Sequence, residues 1–359
     1  MKFRTFALAL LSLALAQAGL VSSADAAASA TATTTTKASK PVAKSGKHAK
    51  TPAKTPAKKT VRQRAPRKAA AAPAARKVSF ARAPVALPDP AGVSMHVDAA
   101  GRPQLRSAAF FVTNQSTGHV ILEHKSEMVV PIASITKLMT AMVVLDGGQP
   151  LVDELSVSEA DVDTLKGSSS RLAPGVRLTR DEMLRLALMS SENRAASSLA
   201  RHYPGGEPAF VEAMNVKARM IGLTDTHFSD PTGLNPANVS SPRDLARMVA
   251  AAASYPLIRE ATTTAERYVQ IGSRMQRFGN TNSLVRSPDW EIGVSKTGYI
   301  REAGRCLVMQ AWVLKQPLLI VLMDSDGRYS RTADAVRIKK WIEATGPQIV
   351  AALNSRRGG

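Results

Sequence analysis

The chain has 359 residues, is 44% apolar and carries a formal charge of +20. That apolar fraction supports a substantial core. The single cysteine, Cys306, excludes an intramolecular disulfide, and six scattered histidines give no metal-ligand spacing, so no metal or nucleotide cofactor is indicated.

The charge is uneven along the chain. From Lys37 to Arg82 there are 15 Lys and Arg and no acid, whereas beyond residue 84 there are 31 bases and 27 acids, a net charge of +4. Basicity therefore belongs to one segment and not to the part that folds. Residues 1–26 read as a secretory signal: Lys2 and Arg4, an apolar run Phe6–Val21, then the small-x-small site Ala24-Asp25-Ala26. Cleavage is placed after Ala26, with Ala18 and Ala28 as alternatives. The run is short for a transmembrane anchor, and no stop-transfer charge cluster follows it. Residues 27–84 form a Lys/Ala/Pro-rich linker with the repeat Thr51-Pro-Ala-Lys54, Thr55-Pro-Ala-Lys58. Such a segment cannot bury enough apolar surface to offset its ordering entropy, so it is expected to be disordered.

Residues 85–350 are expected to form one folded domain, followed by a polar tail, 351–359. Ser107–Asn114 and His119–His124, joined by Gln115-Ser-Thr-Gly118, predict a β-hairpin. Pro131–Asp146 predicts a helix that is apolar nearly all round and therefore central; Gly147-Gly148 and Pro150 stop it. Thr179-Arg-Asp-Glu182 is a capping box leading into a helix that Ser190-Ser-Glu-Asn193 interrupts. Helical periodicity resumes over Ala195–Tyr203 and again over Pro208–Ile221. Asp230-Pro-Thr-Gly233 is a turn, and Ser241 with Pro242 starts a helix to about Ala253. Strand patterns return from Tyr268 and are clearest over Gly293–Ile300, Arg305–Val313 and Pro317–Met323. Thr332–Ala344 predicts a final amphipathic helix, with no length left for another domain or a C-terminal membrane helix. Strands at both ends with helices between imply an α+β fold: one sheet built from distant segments around a helical insertion.

Three short motifs stand out. Ser134 and Lys137 are spaced i, i+3, so they share a helix face. A partly buried lysine tends to lose its proton and could activate a neighbouring hydroxyl. The stretch alone equally reads as an ordinary helix start, with Ser134 as N-cap and Lys137 as a surface charge. Ser191-Glu192-Asn193 falls in the break between two helices, where Asn193 also reads as a cap. Lys296-Thr297-Gly298 falls on a late strand, where Lys296 also reads as a surface charge. Order and context unite them: Ser-x-x-Lys opening a buried helix, Ser-x-Asn between helices, Lys-Thr-Gly on a strand.

With these motifs the chain resembles the serine D-Ala-D-Ala peptidases of the low-molecular-mass penicillin-binding proteins over about residues 105–345. The likeness is greatest to the D-alanyl-D-alanine endopeptidase branch, in Ser134–Asp146, Leu186–Arg194, His202–Gly206 and Lys296–Gly298. The resemblance implies the β-lactamase/DD-peptidase-like fold, an antiparallel sheet flanked by helices with an all-helical insertion. It implies Ser134 as nucleophile, Lys137 as general base and Ser191 as proton relay. Asn193 and Thr297 would bind substrate, and Lys296 would hold the site positive for an anionic one. Gly298 would leave room for a peptide lying against the strand. The backbone N–H groups of Ser134 and Tyr299 would form the oxyanion hole. Arg331 falls near the start of the last helix, where related carboxypeptidases bind a terminal carboxylate; it equally reads as a solvated helix-start charge.

The expected activity is hydrolysis of D-alanyl cross-links in peptidoglycan, with penicillins and other β-lactams as covalent inhibitors, in the periplasm or outside the cell. Trimming of terminal D-Ala is the alternative within the class. A β-lactamase is disfavoured: the middle motif is Ser-Glu-Asn, and no segment matches that family's deacylating glutamate. From a different class, the basic segment 27–84 reads as a binder of anionic polymers by counterion release; a secretory signal argues for acidic envelope polymers over nucleic acid, and a solvated linker is the plain alternative.

Overall fold

The computed structural model describes residues 96–355. The expected signal and basic linker lie outside the described residues, as do 356–359.

The frame is a five-stranded antiparallel sheet. Its strands are β1 (Ser107–Asn114) and β2 (Val120–His124), which form the expected hairpin, and three late strands. Between the two groups come the short β3 (Val130–Pro131), β4 (Glu154–Ser156), β5 (Arg177–Thr179), β6 (Val239–Ser240), β7 (Glu266–Ile271) and β8 (Arg274–Gly279). The late strands are β9 (Glu291–Ile300), β10 (Gly304–Val313) and β11 (Gln316–Ser325), and the sheet order is β2-β1-β11-β10-β9. The first hairpin thus pairs with the last strand, Phe111 opposite Val321 and Ala109 opposite Met323. β9 is an edge strand of this sheet, paired with β10 alone.

Alternation along these strands sends side chains to two different cores. One face places Val112, Leu307, Met309, Leu318, Ile320 and Leu322 in a cluster with Ala335, Val336, Ile338 and Ile342 of α7 (Ser330–Ser355). That helix continues well past Ala344, where the sequence reading ended it, and takes in the first part of the expected polar tail. The other face places Ala109, Phe111, Val308, Val321 and Met323 in a larger core with the helical insertion.

The insertion comprises α1 (Lys137–Asp146), α2 (Arg180–Met189), α3 (Asn193–Arg201), α4 (Gly206–Met220), α5 (Pro242–Ala252) and α6 (Pro256–Thr263). α1 is central: Lys137 to Val144 are all buried, as its all-round apolar sequence requires. The capping box forms at Thr179 and Glu182, and the Ser241 hydroxyl caps α5 at Asp244 N–H with Pro242 in the first turn. The insertion is not purely helical. β4 pairs β5, β3 pairs β6 and β7 pairs β8, each a short antiparallel pairing that ties down loops between helices. α6 was not anticipated from the sequence, because Tyr255-Pro256 follows so closely on the end of α5 that the stretch reads as a terminator.

Candidate active site

The turn before α1 is more specialised than a helix start. Ala133–Thr136 forms a 3-10 turn, so Ser134 precedes the α-helix and Lys137 is its first residue. Ser134 does not act as a side-chain cap. Ala133 has φ +49°, a left-handed conformation that costs an alanine energy and persists only where surroundings enforce it. They do so on two sides. A Cβ on Gly233 (φ +81°) would sit 1.9 Å from the Ala133 carbonyl oxygen, and one on Gly298 would sit 2.9 Å from the Ile132 carbonyl oxygen. Gly298 was expected to make room for a bound peptide; what it admits here is the turn carrying Ser134, since its Cβ would also lie 3.3 Å from Ser134 N.

Lys137 is fully buried, not the surface charge of the plain reading. Its Nζ lies 2.9 Å from Ser134 Oγ, 2.7 Å from Asn193 Oδ1 and 2.6 Å from the Thr232 carbonyl oxygen. Burial lowers its pKa from 10.5 to about 7, against the nearby carboxylates of Asp230 and Glu192, which favour the ammonium. A neutral amine has two N–H donors and one lone pair. Donation to Asn193 and Thr232 would leave the lone pair for the Ser134 hydroxyl.

A second serine–lysine pair faces the first. Ser191 has φ +62°, and its Oγ accepts a 2.9 Å hydrogen bond from Lys296 Nζ, which also donates to the Thr297 carbonyl at 3.1 Å. Lys296 is 1% exposed. Burial first, then the charges of Lys137 and Arg331, push its pKa well below the ordinary lysine value. Asn193 is the first residue of α3, after the N-cap Glu192, so it is not a helix cap. Its amide bridges Lys137 to Ser168, whose Oγ accepts from Asn193 Nδ2 at 2.9 Å. Thr297 Oγ1 donates to Thr281 Oγ1 at 2.7 Å.

Arg331 is held rather than solvated: its guanidinium donates to the Gly298 carbonyl at 2.8 Å and to the Cys306 carbonyl at 3.3 Å. Burial lowers its pKa to about 10, and the neighbouring Arg305 charge acts in the same direction. Tyr299 is exposed beside it, with the Arg305 guanidinium 4.5 Å from its ring centroid. Ser134, Ser191, Asn193, Thr297, Gly298, Tyr299 and Arg331 all line one cleft of about 1060 Å³, with Lys137 and Lys296 buried in its floor.

Several supporting residues escaped the sequence reading. Asp230 accepts from the backbone N–H of Thr232 (2.5 Å), Gly233 (2.6 Å) and Asn235 (2.5 Å), shaping the loop whose carbonyl meets Lys137. Asn238 accepts from Ser229 and Asp230 N–H and donates to the Thr136 hydroxyl and the Asp230 carbonyl, binding that loop to the turn of Ser134. The visible signal was Asp230-Pro-Thr-Gly233, legible as a turn but not as one that must touch α1. Glu192, the middle residue of the Ser-x-Asn motif, is buried and points away. It accepts from Ser170 Oγ at 2.6 Å and pairs with Arg171, anchoring the loop that carries Ser168.

A model of the D-alanyl-D-alanine carboxypeptidase family matches residues 96–327. The chain is 46% identical over 242 residues to a D-alanyl-D-alanine endopeptidase of Pseudomonas aeruginosa, an overlap of 67% of this chain and 78% of the relative. It is 44% identical over 263 residues to the D-alanyl-D-alanine endopeptidase of Escherichia coli, covering 72% and 84%. Among solved structures, a Streptomyces DD-transpeptidase is 27% identical with a TM-score of 0.63, over 67% of this chain and 98% of that one. With paired serines and lysines in the cleft and relatives of this extent, the chain belongs to the D-alanyl-D-alanine carboxypeptidase family of serine peptidases.

Proposed function

We propose that this protein is a penicillin-sensitive DD-endopeptidase that hydrolyses D-alanyl cross-links in peptidoglycan through an acyl-Ser134 intermediate. The observation that carries the reading is the buried Lys137 amine, 2.9 Å from Ser134 Oγ and with its pKa lowered to about 7. Such an amine is half neutral near physiological pH, where a general base is most effective.

In this reading Lys137 takes the Ser134 proton as Oγ attacks the D-alanyl carbonyl. The developing oxyanion is met by the N–H groups of Ser134 and Tyr299 at the seam between turn and strand. Ser191, fed by Lys296, passes a proton to the leaving amine. Water then attacks the ester and regenerates Ser134. Asn193 and the open edge of β9 hold the substrate backbone, with Thr297 and Arg331 toward its carboxylate. Lys296 is disfavoured as a standing charge by its burial; an arriving carboxylate favours its protonation, and Arg331 supplies positive potential beforehand.

Endopeptidase is preferred over carboxypeptidase because relatives at 46%, 44% and 34% identity bear the former name. Carboxypeptidase stays the second reading because the family model and other relatives, the first at 34% identity, bear that name. Digestion of purified cross-linked and pentapeptide muropeptides by wild type and Ser134→Ala separates the two. Cleavage of the cross-linked dimer by wild type alone supports the proposal; release of only terminal D-Ala refutes it in favour of the second reading. Export to the periplasm, and association of residues 27–84 with acidic envelope polymers, complete the proposal. No helix among the described residues is long and apolar enough to cross a membrane. Deletion of 27–84 is then expected to weaken salt-sensitive binding to cell-wall sacculi; equal binding by both forms removes that part.

A further inference from the structure

The wall of the cleft beyond Arg331 carries more positive charge than one carboxylate requires. Arg286, Arg301, Arg305 and Arg328 line it together with Arg331. None of the five pairs with a carboxylate among the described residues, whereas ten of the sixteen other arginines described there do. The lining holds one acid, Glu302, which Lys166 already engages at 2.5 Å from the opposite lip. Two of the guanidiniums lie against exposed tyrosines: Arg305 is 4.5 Å from the Tyr299 ring centroid and Arg328 is 5.4 Å from that of Tyr329. A ring face attracts a guanidinium without occupying its N–H donors, which stay available for an incoming oxyanion. Two of them are close enough to feel each other, since Arg305 helps lower the pKa of Arg331. Like charges held together without counter-ions imply a ligand that brings them.

We propose that this arginine wall binds a further carboxylate on the leaving strand of a cross-linked peptide, beyond the one that lies next to the scissile bond. The inference rests on the DD-peptidase function proposed above and specifies its substrate. A terminal D-Ala leaves with one carboxylate and nothing past it, so Arg331 and Thr297 exhaust what it offers. The leaving strand of a cross-link is a peptide with a C-terminal carboxylate of its own and, at acidic residues, side carboxylates as well. Charge-assisted bonds to these groups are formed only by the cross-linked substrate. The wall would thereby select cross-links over free stems.

The test compares kcat/KM for two cross-linked muropeptide dimers, identical except that the leaving strand's additional carboxylates are free in one and amidated in the other. Wild type is expected to favour the free form by about tenfold or more, mainly through KM, with the preference shrinking as salt rises. Arg305→Ala combined with Arg328→Ala should bring the ratio close to one, while Arg274→Ala, which removes an arginine of the β7–β8 hairpin that does not line the cleft, should keep it. The ratio is taken within each protein, so a variant with less folded enzyme still reports. Equal cleavage of the two dimers by wild type, or an undiminished ratio in the double variant, overturns the inference and leaves the endopeptidase reading intact. Failure to cleave either dimer, with terminal D-Ala still released, overturns both.

Discussion

The two faces of the central sheet bury the same strands in different company. Toward α7, Val112, Met309, Ile320 and Leu322 meet Val336 and Ile338, an apolar contact of residues at regular spacing, with one buried carboxylate, Asp334, whose bonds from Ser107 and Arg337 satisfy it. Toward the insertion the core is larger, yet at its seam with β9 it encloses two lysine amines and a web of side-chain and backbone polar groups. One face is an ordinary core. The other gives up apolar burial to hold Lys137 and Lys296 where desolvation disfavours their charge. The difference separates what stabilises the molecule from what it does.

The contrast breaks most sharply at the reacting pair. Ser134→Ala should abolish the covalent penicillin adduct, and Lys137→Ala should slow its formation by about 10²–10⁴-fold, the range for losing a positioned general base. Both are read by the rate of labelled-penicillin incorporation. Gly233→Ala should come next: its Cβ would sit 1.9 Å from the Ala133 carbonyl oxygen in a left-handed conformation. It should cost on the order of 3 kcal/mol in chemical denaturation and depress acylation in the protein that remains folded, because the Ser134 turn must shift. Ile338→Ala on the α7 face should cost a comparable amount, about 2–5 kcal/mol, yet leave the acylation rate of folded protein within about twofold.

The pH dependence sharpens the same comparison. Lys137 has a folded-state pKa of about 7, so its neutral fraction falls roughly tenfold per pH unit below that and saturates above it. Acylation should follow this curve in wild type and in Ile338→Ala alike. The smallest effect is expected at the lips of the cleft. The Lys166–Glu302 pair is solvent-exposed and screened, so Glu302→Ala should leave stability almost unchanged, seen as a Tm within measurement scatter of wild type.

The α7 face was largely legible in the sequence because its information is local. Alternation in Arg305–Val313 and Pro317–Met323, and helical spacing after Thr332, are enough to state which elements form. The helix still ran past the Ala344 at which the sequence reading stopped it. The site was legible only as residue types in an order, Ser134 and Lys137, Ser191 and Asn193, Lys296 to Gly298, read through resemblance. The structure brings all of them to one cleft. Hidden from the sequence were contacts between distant segments: Lys137 with the Thr232 carbonyl, Asn238 with the Thr136 hydroxyl, Gly233 against Ala133. A turn such as Asp230-Pro-Thr-Gly233 declares its own shape but not its neighbour. The strain at Ala133 and Ser191 was equally invisible, since neither residue type announces a positive φ.

The central claim is that a buried neutral lysine makes Ser134 the nucleophile. The most direct measurement is the rate and position of labelled-penicillin attachment, followed by peptide mapping between about pH 6 and pH 8. The account predicts a single adduct on the peptide containing Ser134, forming faster as pH rises through about 7 and absent from Ser134→Ala. An undiminished adduct in Ser134→Ala, or a wild-type rate independent of pH across this range, would contradict it.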